Sequence, residues 1–241
     1  MHEQKMVLGQ GEERKAYVRT MFNAIAHRYD FLNHALSGGI DIWWRRKAIS
    51  KMNVSAEAVV LDLASGTGDL AMETVRRKQC RVVATDIARR MLDFAREKMR
   101  RKNLAESMLL VNGDGEDLPF KEGLFDAVTI AFGIRNMGTV TDALKEMRRI
   151  LKPGGETIIL EFSLPVNVLF RAVYLFYFKN ILPRIGRLIS RDKEAYNYLP
   201  ASVQKFPEIN EFMNWMEEAG FSKVQHWKLL NGVAVIYKGI K

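Results

Sequence analysis

The chain has 241 residues, 48% of them hydrophobic and 27% charged, a composition that supports a packed core and excludes a disordered chain. Its one cysteine, Cys80, excludes an internal disulfide, and its four scattered histidines show no metal-ligand spacing, so no metal site is expected. The net charge of +9 fits either a solubilising surface or an anionic partner, of which a membrane surface is the preferred one.

The N-terminal run MHEQKMVLGQGEERK lacks the apolar stretch of a secretory signal, and Glu3, Glu12 and Glu13 speak against a mitochondrial leader. A reducing compartment, the cytoplasm, is expected. Over residues 16–51, Val18, Met21, Phe22, Ile25 and Tyr29 recur at helical spacing and predict a helical segment. Strands are predicted over 59–63, 81–85, 108–111, 125–132 and 157–162. Between them, helices are predicted over 68–78, 89–102 and 141–151, the last stopped by Lys152, Pro153, Gly154 and Gly155. Such alternation predicts an α/β fold with a doubly wound parallel sheet. The tail departs from it. Residues 162–205 form an apolar, aromatic insertion, and 207–219 a helix ended by Gly220. Strands over 224–229 and 233–238 flank Asn231-Gly232, a strong hairpin signal, so an antiparallel hairpin closes the sheet. The whole chain, 1–241, reads as one domain. Its most apolar stretch, 166–189, is broken by Asn167, Arg171, Lys179, Asn180, Pro183 and Arg184, and no membrane span is expected. The basic runs at 45–47, 76–78, 89–90 and 96–102 fall on predicted helices without a nucleic-acid motif, so no nucleic-acid partner is expected.

The run from Val59 to Asp69, VVLDLASGTGD, joins the first strand to the next helix. Small residues at Ala64, Ser65, Gly66 and Gly68 let a ligand approach the backbone, and Asp62 lies at the carboxyl end of the strand, where open α/β sheets bind ligands. A plain tight turn would look the same. The second strand, however, ends in Asp86, about 20 residues on, where a carboxylate accepts both hydroxyls of a ribose. The third leads to Gly113, Asp114 and Gly115, a polar turn suited to an adenine edge. The spacing lacks the third glycine of a dinucleotide loop, and Asp69 adds negative charge that suits a sulfonium better than a pyrophosphate.

Residues 62–68 resemble the acidic-x-G-x-G-x-G signature of class I, Rossmann-like S-adenosylmethionine-dependent methyltransferases, with Ala64 for the first glycine. The flanks narrow this. VRTMFNAIAHRYDFLN at 18–33, Leu36-Ser37-Gly38, Trp44-Arg45, AFGIRN at 131–136, YNYLPAS at 196–202, Phe206-Pro207, Ala219-Gly220-Phe221 and Gly232-Val233-Ala234 are similar to the ubiquinone/menaquinone biosynthesis C-methyltransferase family, in family order from about residue 16 to the end. The resemblance implies C-methylation of a polyprenylated quinol, demethylmenaquinol first, with S-adenosylmethionine as donor. It places Thr67, Asp86, Asp114 and Gly115 at the family's donor contacts, beside Asp62, Gly66 and Gly68 of the signature. Many members have Asn-Ala at Asp114-Gly115, and some have Ser at Ala131.

Ring methylation needs an electron-rich quinol, a stabilised phenolate and exclusion of water. Arg135 and Asn136, just beyond the fourth strand, suit the phenolate; an ion pair is the other reading of Arg135. Tyr29 reads as a site residue on a helical lid over 16–51, or, on spacing alone, as a core aromatic. His27 is of a residue type that serves as a general base, but the family pattern does not require it. The insertion over 162–205 reads as buried core, as a groove for the prenyl tail, or as a patch dipping into a membrane. The rival enzyme reading is a class I methyltransferase for another apolar small molecule, a sterol or lipid; a cofactor-binding protein without catalysis is the rival from another class. Naphthoquinol versus benzoquinol, tail length and homo-oligomer formation stay open.

Overall fold

The structure, a computed structural model, describes residues 11–165, 167, 171–172, 176 and 194–241. Seven strands form one sheet in the order β3-β2-β1-β4-β5-β7-β6. They are β1 (Val59–Leu63), β2 (Arg81–Asp86), β3 (Met108–Asn112), β4 (Phe125–Ala131), β5 (Leu151–Phe162), β6 (Ser222–Leu229) and β7 (Ala234–Ile240). The first five run parallel, and β7 lies antiparallel between β5 and β6. This is the doubly wound sheet with a terminal hairpin that the sequence predicts.

The hydrophobic pattern explains the layering. Strands covered on both faces need apolar side chains at successive positions. Val60 of β1 faces one helical layer and Leu61 and Leu63 the other. The first layer holds α3 (Ile40–Ser50) and α4 (Asp69–Lys78), with Trp44, Ile49, Met72 and Val75 against Val82, Ala127 and Ile158. The second holds α6 (Val140–Ile150) and α8 (Ile209–Glu218), with Leu144, Met147, Phe212 and Met216 against Val128, Ile159 and Tyr237.

The N-terminal segment is helical but divided into α1 (Gly11–Ile25), a 3₁₀ turn at Ala26–Arg28, α2 (Tyr29–Ser37) and α3. The break before α3 comes at Gly38 and Gly39, both at positive φ. The 3₁₀ turn packs Ala26 against Ala88 and Met91 of the region opening α5 (Arg89–Arg101). Helix α7 (Glu194–Lys205) brings Tyr198 onto Val18 and Met21 of α1.

Two local differences from the sequence reading have physical causes. Residues 152–155 stop α6 as expected, yet they lie inside β5, which begins at Leu151. Leu151 pairs with Phe125 and Glu156 with Ala127, so the extra residues bulge out between two ladder segments. The terminal hairpin turns through 230–233, because Leu230, Asn231 and Gly232 are all left-handed and the ladder resumes at Ala234. Of the apolar insertion over 162–205, the positions 166, 168–170, 173–175 and 177–193 lie outside the described residues.

Strand order reverses between β1 and β4, with β2 and β3 on one side and β5, β7 and β6 on the other. Such a reversal splays the loops leaving neighbouring strands and opens a crevice at their carboxyl ends.

Candidate active site

The loop leaving β1 enters α4 through three left-handed residues, Ala64 (φ 48°), Gly66 (φ 56°) and Gly68 (φ 83°). A side chain at Gly68 would also press on Ala95 of α5, its Cβ 3.3 Å away, so glycine serves both the turn and the close approach. Beneath the loop, Asp62 is 1% exposed and accepts hydrogen bonds from Ser65 Oγ (2.6 Å) and Thr129 Oγ1 (2.8 Å). Burial pushes its carboxyl up to about 6, against the pull of those bonds. Asp62 therefore braces the loop from inside rather than lining the crevice.

Asp86 does line the crevice. Its oxygens accept from the backbone N–H of Gly66 (2.8 Å) and of Ala88 (2.7 Å), and burial pushes its carboxyl up to about 6. A carboxylate has about four acceptor positions. Two are used here, which leaves capacity for a pair of hydroxyls. Farther along, Asp114 accepts from Glu116 N–H (2.9 Å) and pairs with Lys15 of α1 (2.8 Å). A Cβ on Gly115 would lie 2.9 Å from Met137 Cε, so an alanine there must move that methyl group.

A crevice opens at these strand ends, beneath the N-terminal helices. Gly66, Asp86, Asp114 and Gly115 line it together with Phe132, Gly133 and Asn136, and α1 and α2 add Val18, Phe22 and Tyr29. The donor set fits an adenosyl ligand: a carboxylate for the ribose, a polar turn for the base, and a glycine turn open to a close approach.

The side chains of Thr67 and Asp69 are engaged by neighbouring helices. Thr67 is 2% exposed and donates its hydroxyl to Asp30 of α2. Lys98 bonds Asp30 (2.7 Å) and pairs with Asp69, so the charge of Asp69 is neutralised rather than offered to a cationic ligand. Burial opposes ionisation of Asp69, but Lys98 and Arg45 outweigh it and hold its carboxyl below the usual range. Together these contacts tie the N-terminal helices to the glycine loop.

Tyr29, whose Cε1 would lie 3.7 Å from a Cβ on Gly66, meets Phe22 edge-to-face, ring centroids 5.8 Å apart, and bonds Asn33. Burial raises its hydroxyl above the usual phenol range, with Arg45 and Arg135 pulling the other way. Asn136 is fixed at both ends of its amide: Oδ1 accepts from Tyr198 (3.0 Å) and Nδ2 donates to the Phe132 carbonyl (3.3 Å). Arg135 is not a free cation at the crevice. Its side chain is 7% exposed and pairs at 2.6 Å with Glu161, which is 0% exposed. It also donates to the Phe132 carbonyl (2.6 Å) and Ser202 (3.3 Å). The ion-pair reading of Arg135 thus describes its contacts, with a buried partner in place of a surface one. His27 is exposed.

Sequence reasoning missed Glu161 and Tyr198. The first had a signal: a lone carboxylate in a strand apolar on both faces is rare unless paired. The second had none beyond its motif, because its partner Asn136 is 62 residues away.

Among solved structures, a SAM-dependent methyltransferase from Thermotoga maritima superposes with a TM-score of 0.66 at 19% identity, covering 92% of this chain and 99% of that one. One from Aquifex aeolicus gives 0.59 at 14% identity, covering 81% and 88%. The fold is that of the class I S-adenosylmethionine-dependent methyltransferases. The model of the ubiE/COQ5 methyltransferase family matches residues 9–241, and the chain belongs to that family. The ubiquinone/menaquinone biosynthesis C-methyltransferase UbiE of Geotalea daltonii is 44% identical over 231 residues, 95% of this chain and 98% of that protein. The demethylmenaquinone methyltransferase of Deinococcus radiodurans is 42% identical over 240 residues, 99% and 98% of the two chains.

The elevated Asp86 carboxyl has a testable consequence. Ribose hydroxyls donate to the ionised form, so donor binding should tighten as pH rises from 5 to 7 and should expel a proton near pH 6. The donor-free fold has the opposite trend. Neutral Asp86 and Asp62 favour folding, and that contribution is present below their unfolded values near 4 and lost by about pH 6. Asp86→Asn should weaken S-adenosylmethionine about ten- to a hundredfold, the worth of roughly 1.5–3 kcal/mol of charged hydrogen bonding, and flatten the pH dependence in calorimetric titration. Unchanged affinity and slope would remove Asp86 from the donor site.

Proposed function

We propose that this methyltransferase transfers the methyl group of S-adenosylmethionine to a ring carbon of a polyprenylated quinol, demethylmenaquinol first, in quinone biosynthesis. The observation that carries the reading is its 42–44% identity, over nearly its whole length, to proteins named for that chemistry. The donor-shaped crevice under the N-terminal helices is consistent with it.

The donor supplies an electrophilic methyl group. What remains for the protein is to make the ring a nucleophile and keep water out. An oxidised quinone ring is electron-poor; the quinol, losing one phenolic proton, pushes density onto the adjacent carbon. In our reading Tyr29 and Asn136 contact the ring oxygens. The raised hydroxyl pKa of Tyr29 keeps it a donor, and a donor to an oxygen that becomes anionic gains strength as charge develops. Arg135 acts behind them: locked to Glu161, it holds the 132–136 corner that presents Asn136. Residues 16–51 act as a lid, tied to the glycine loop through Asp30, Thr67 and Lys98.

With methyl-labelled donor, the reduced substrate should be methylated and the oxidised form under strictly non-reducing conditions should not. Equal turnover of both would overturn the proposed chemistry.

A prenylated substrate resides in a bilayer, and we place the enzyme at the inner face of the cytoplasmic membrane as a peripheral protein. No described helix is long and apolar enough to cross a membrane. At the α2–α3 corner, however, Ile40, Ile42 and Trp43 are 40, 42 and 43% exposed, with Arg46 and Lys47 one turn beyond. Lys47 Nζ lies 5.8 Å from the Trp43 ring centroid. Aromatic and branched side chains rimmed by cations suit an anionic interface. The protein should float with phosphatidylglycerol-containing vesicles at low salt, float less as the Debye length shortens, and lose most binding in Trp43→Ser/Lys47→Glu. Equal flotation of that variant would move the contact elsewhere.

A further inference from the structure

Three aromatic rings close around the start of the 132–136 corner. Phe132 and Phe162 follow and end β4 and β5, with ring centroids 4.4 Å apart. Trp44 of α3 lies 5.9 Å from each, edge-on to Phe162 and splayed at 55° from Phe132. Two guanidinium groups stand over this box, Arg45 5.9 Å from the Phe132 centroid and Arg135 5.3 Å from that of Phe162.

Two independent features of the box point to a ligand. The first is Trp44 itself. It is 4% exposed, and its indole N–H has no acceptor among the described residues. An indole can only donate, and buried donors without partners are rare in folded proteins. The second is Phe132, a bulky residue held at φ 58°, in the left-handed region. Its peptide is over-determined: N–H donates to Leu160 O (2.7 Å), and its carbonyl accepts from Arg135 and Asn136. Strain kept in place this way clusters at ligand sites. Phe132 also lines the crevice assigned to the donor. The Trp44 ring thus lies 5.9 Å from one that lines the crevice.

We propose that Trp44 binds the methyl acceptor: its Nε1–H donates to a ring oxygen of the quinol while the acceptor ring lies against Phe132 on the crevice side. An oxygen, smaller than a ring, enters the splayed Trp44–Phe132 edge. The bond serves both the neutral hydroxyl and the phenolate and is stronger to the latter, so it favours the nucleophilic form. It rests on the quinol reading above. Tyr29 and Trp44 then hold the ring from opposite sides of the corner, with Trp44 choosing rings that carry an oxygen at its end.

The test uses Trp44→Phe, which keeps a ring and deletes the donor. Substrates are a singly prenylated naphthoquinol and its analogue with one hydroxyl replaced by hydrogen. The wild type should prefer the quinol by tenfold or more in kcat/KM. Trp44→Phe should lose ten- to a hundredfold on the quinol, keep its affinity for S-adenosylmethionine, and lose most of the preference. A variant that retains full kcat/KM and the preference overturns the proposal. Should the variant not fold, the wild type with ¹⁵N-indole labelling decides. Quinol added with the product S-adenosylhomocysteine should shift the Trp44 indole N–H downfield, and the mono-hydroxy analogue should not; an unmoved resonance also overturns the proposal. Failure of the quinol reading is seen separately, as a wild type that does not methylate the quinol at all.

Discussion

The buried ion pair between Arg135 and Glu161 is the interaction on which the site depends. Placing two charges in the interior costs several kcal/mol per ion, recovered only when geometry and further hydrogen bonds are good. Here they are. Glu161 accepts from the Arg135 side chain, the Arg135 backbone N–H and the Phe162 N–H. Arg135 also donates to Phe132 O and Ser202, and its own carbonyl accepts from Arg14 of α1. One pair thereby joins β5, the loop after β4, α7 and the N-terminal helix. It holds Phe132 in its left-handed conformation and Asn136 against Tyr198.

Around that corner, the protein uses buried carboxylates in two ways. Asp62 is enclosed by its own loop and by Thr129, so its work is to hold the turn. Asp86, one strand over, takes backbone donors on the inside and faces the crevice outside. The N-terminal helices are fastened by another polar group: Asp30 of α2 meets Thr67 and Lys98, and Lys98 meets Asp69.

Much of this was legible in the chain. The parallel strands, their helices and the terminal hairpin follow from periodicity and turn residues, because each is set by neighbours within a dozen positions. The glycine turn and Asp86 were legible for the same reason: one spacing places both at adjacent strand ends. Contacts between distant segments were not. Arg135 and Glu161 are 26 residues apart, and the sequence offers no way to tell a cation awaiting a substrate from one already paired. The bond from the Thr67 hydroxyl to Asp30, 37 positions earlier, is another such contact. The solitary indole N–H of Trp44 is a property of packing alone.

The central claim is that Arg135 acts on the site through Glu161 and not by touching the substrate, and a double-mutant cycle tests it most directly. Arg135→Ala and Glu161→Ala should each destabilise the fold by about 3–5 kcal/mol, since each strands a buried charge. The double variant should cost clearly less than their sum, a coupling measured by urea unfolding. Turnover of the folded protein should fall in both single variants and recover in part in the double. An Arg135→Ala protein as stable as the parent, with turnover down by about 10²–10³ while Glu161→Ala stays active, would contradict the account and return Arg135 to the phenolate.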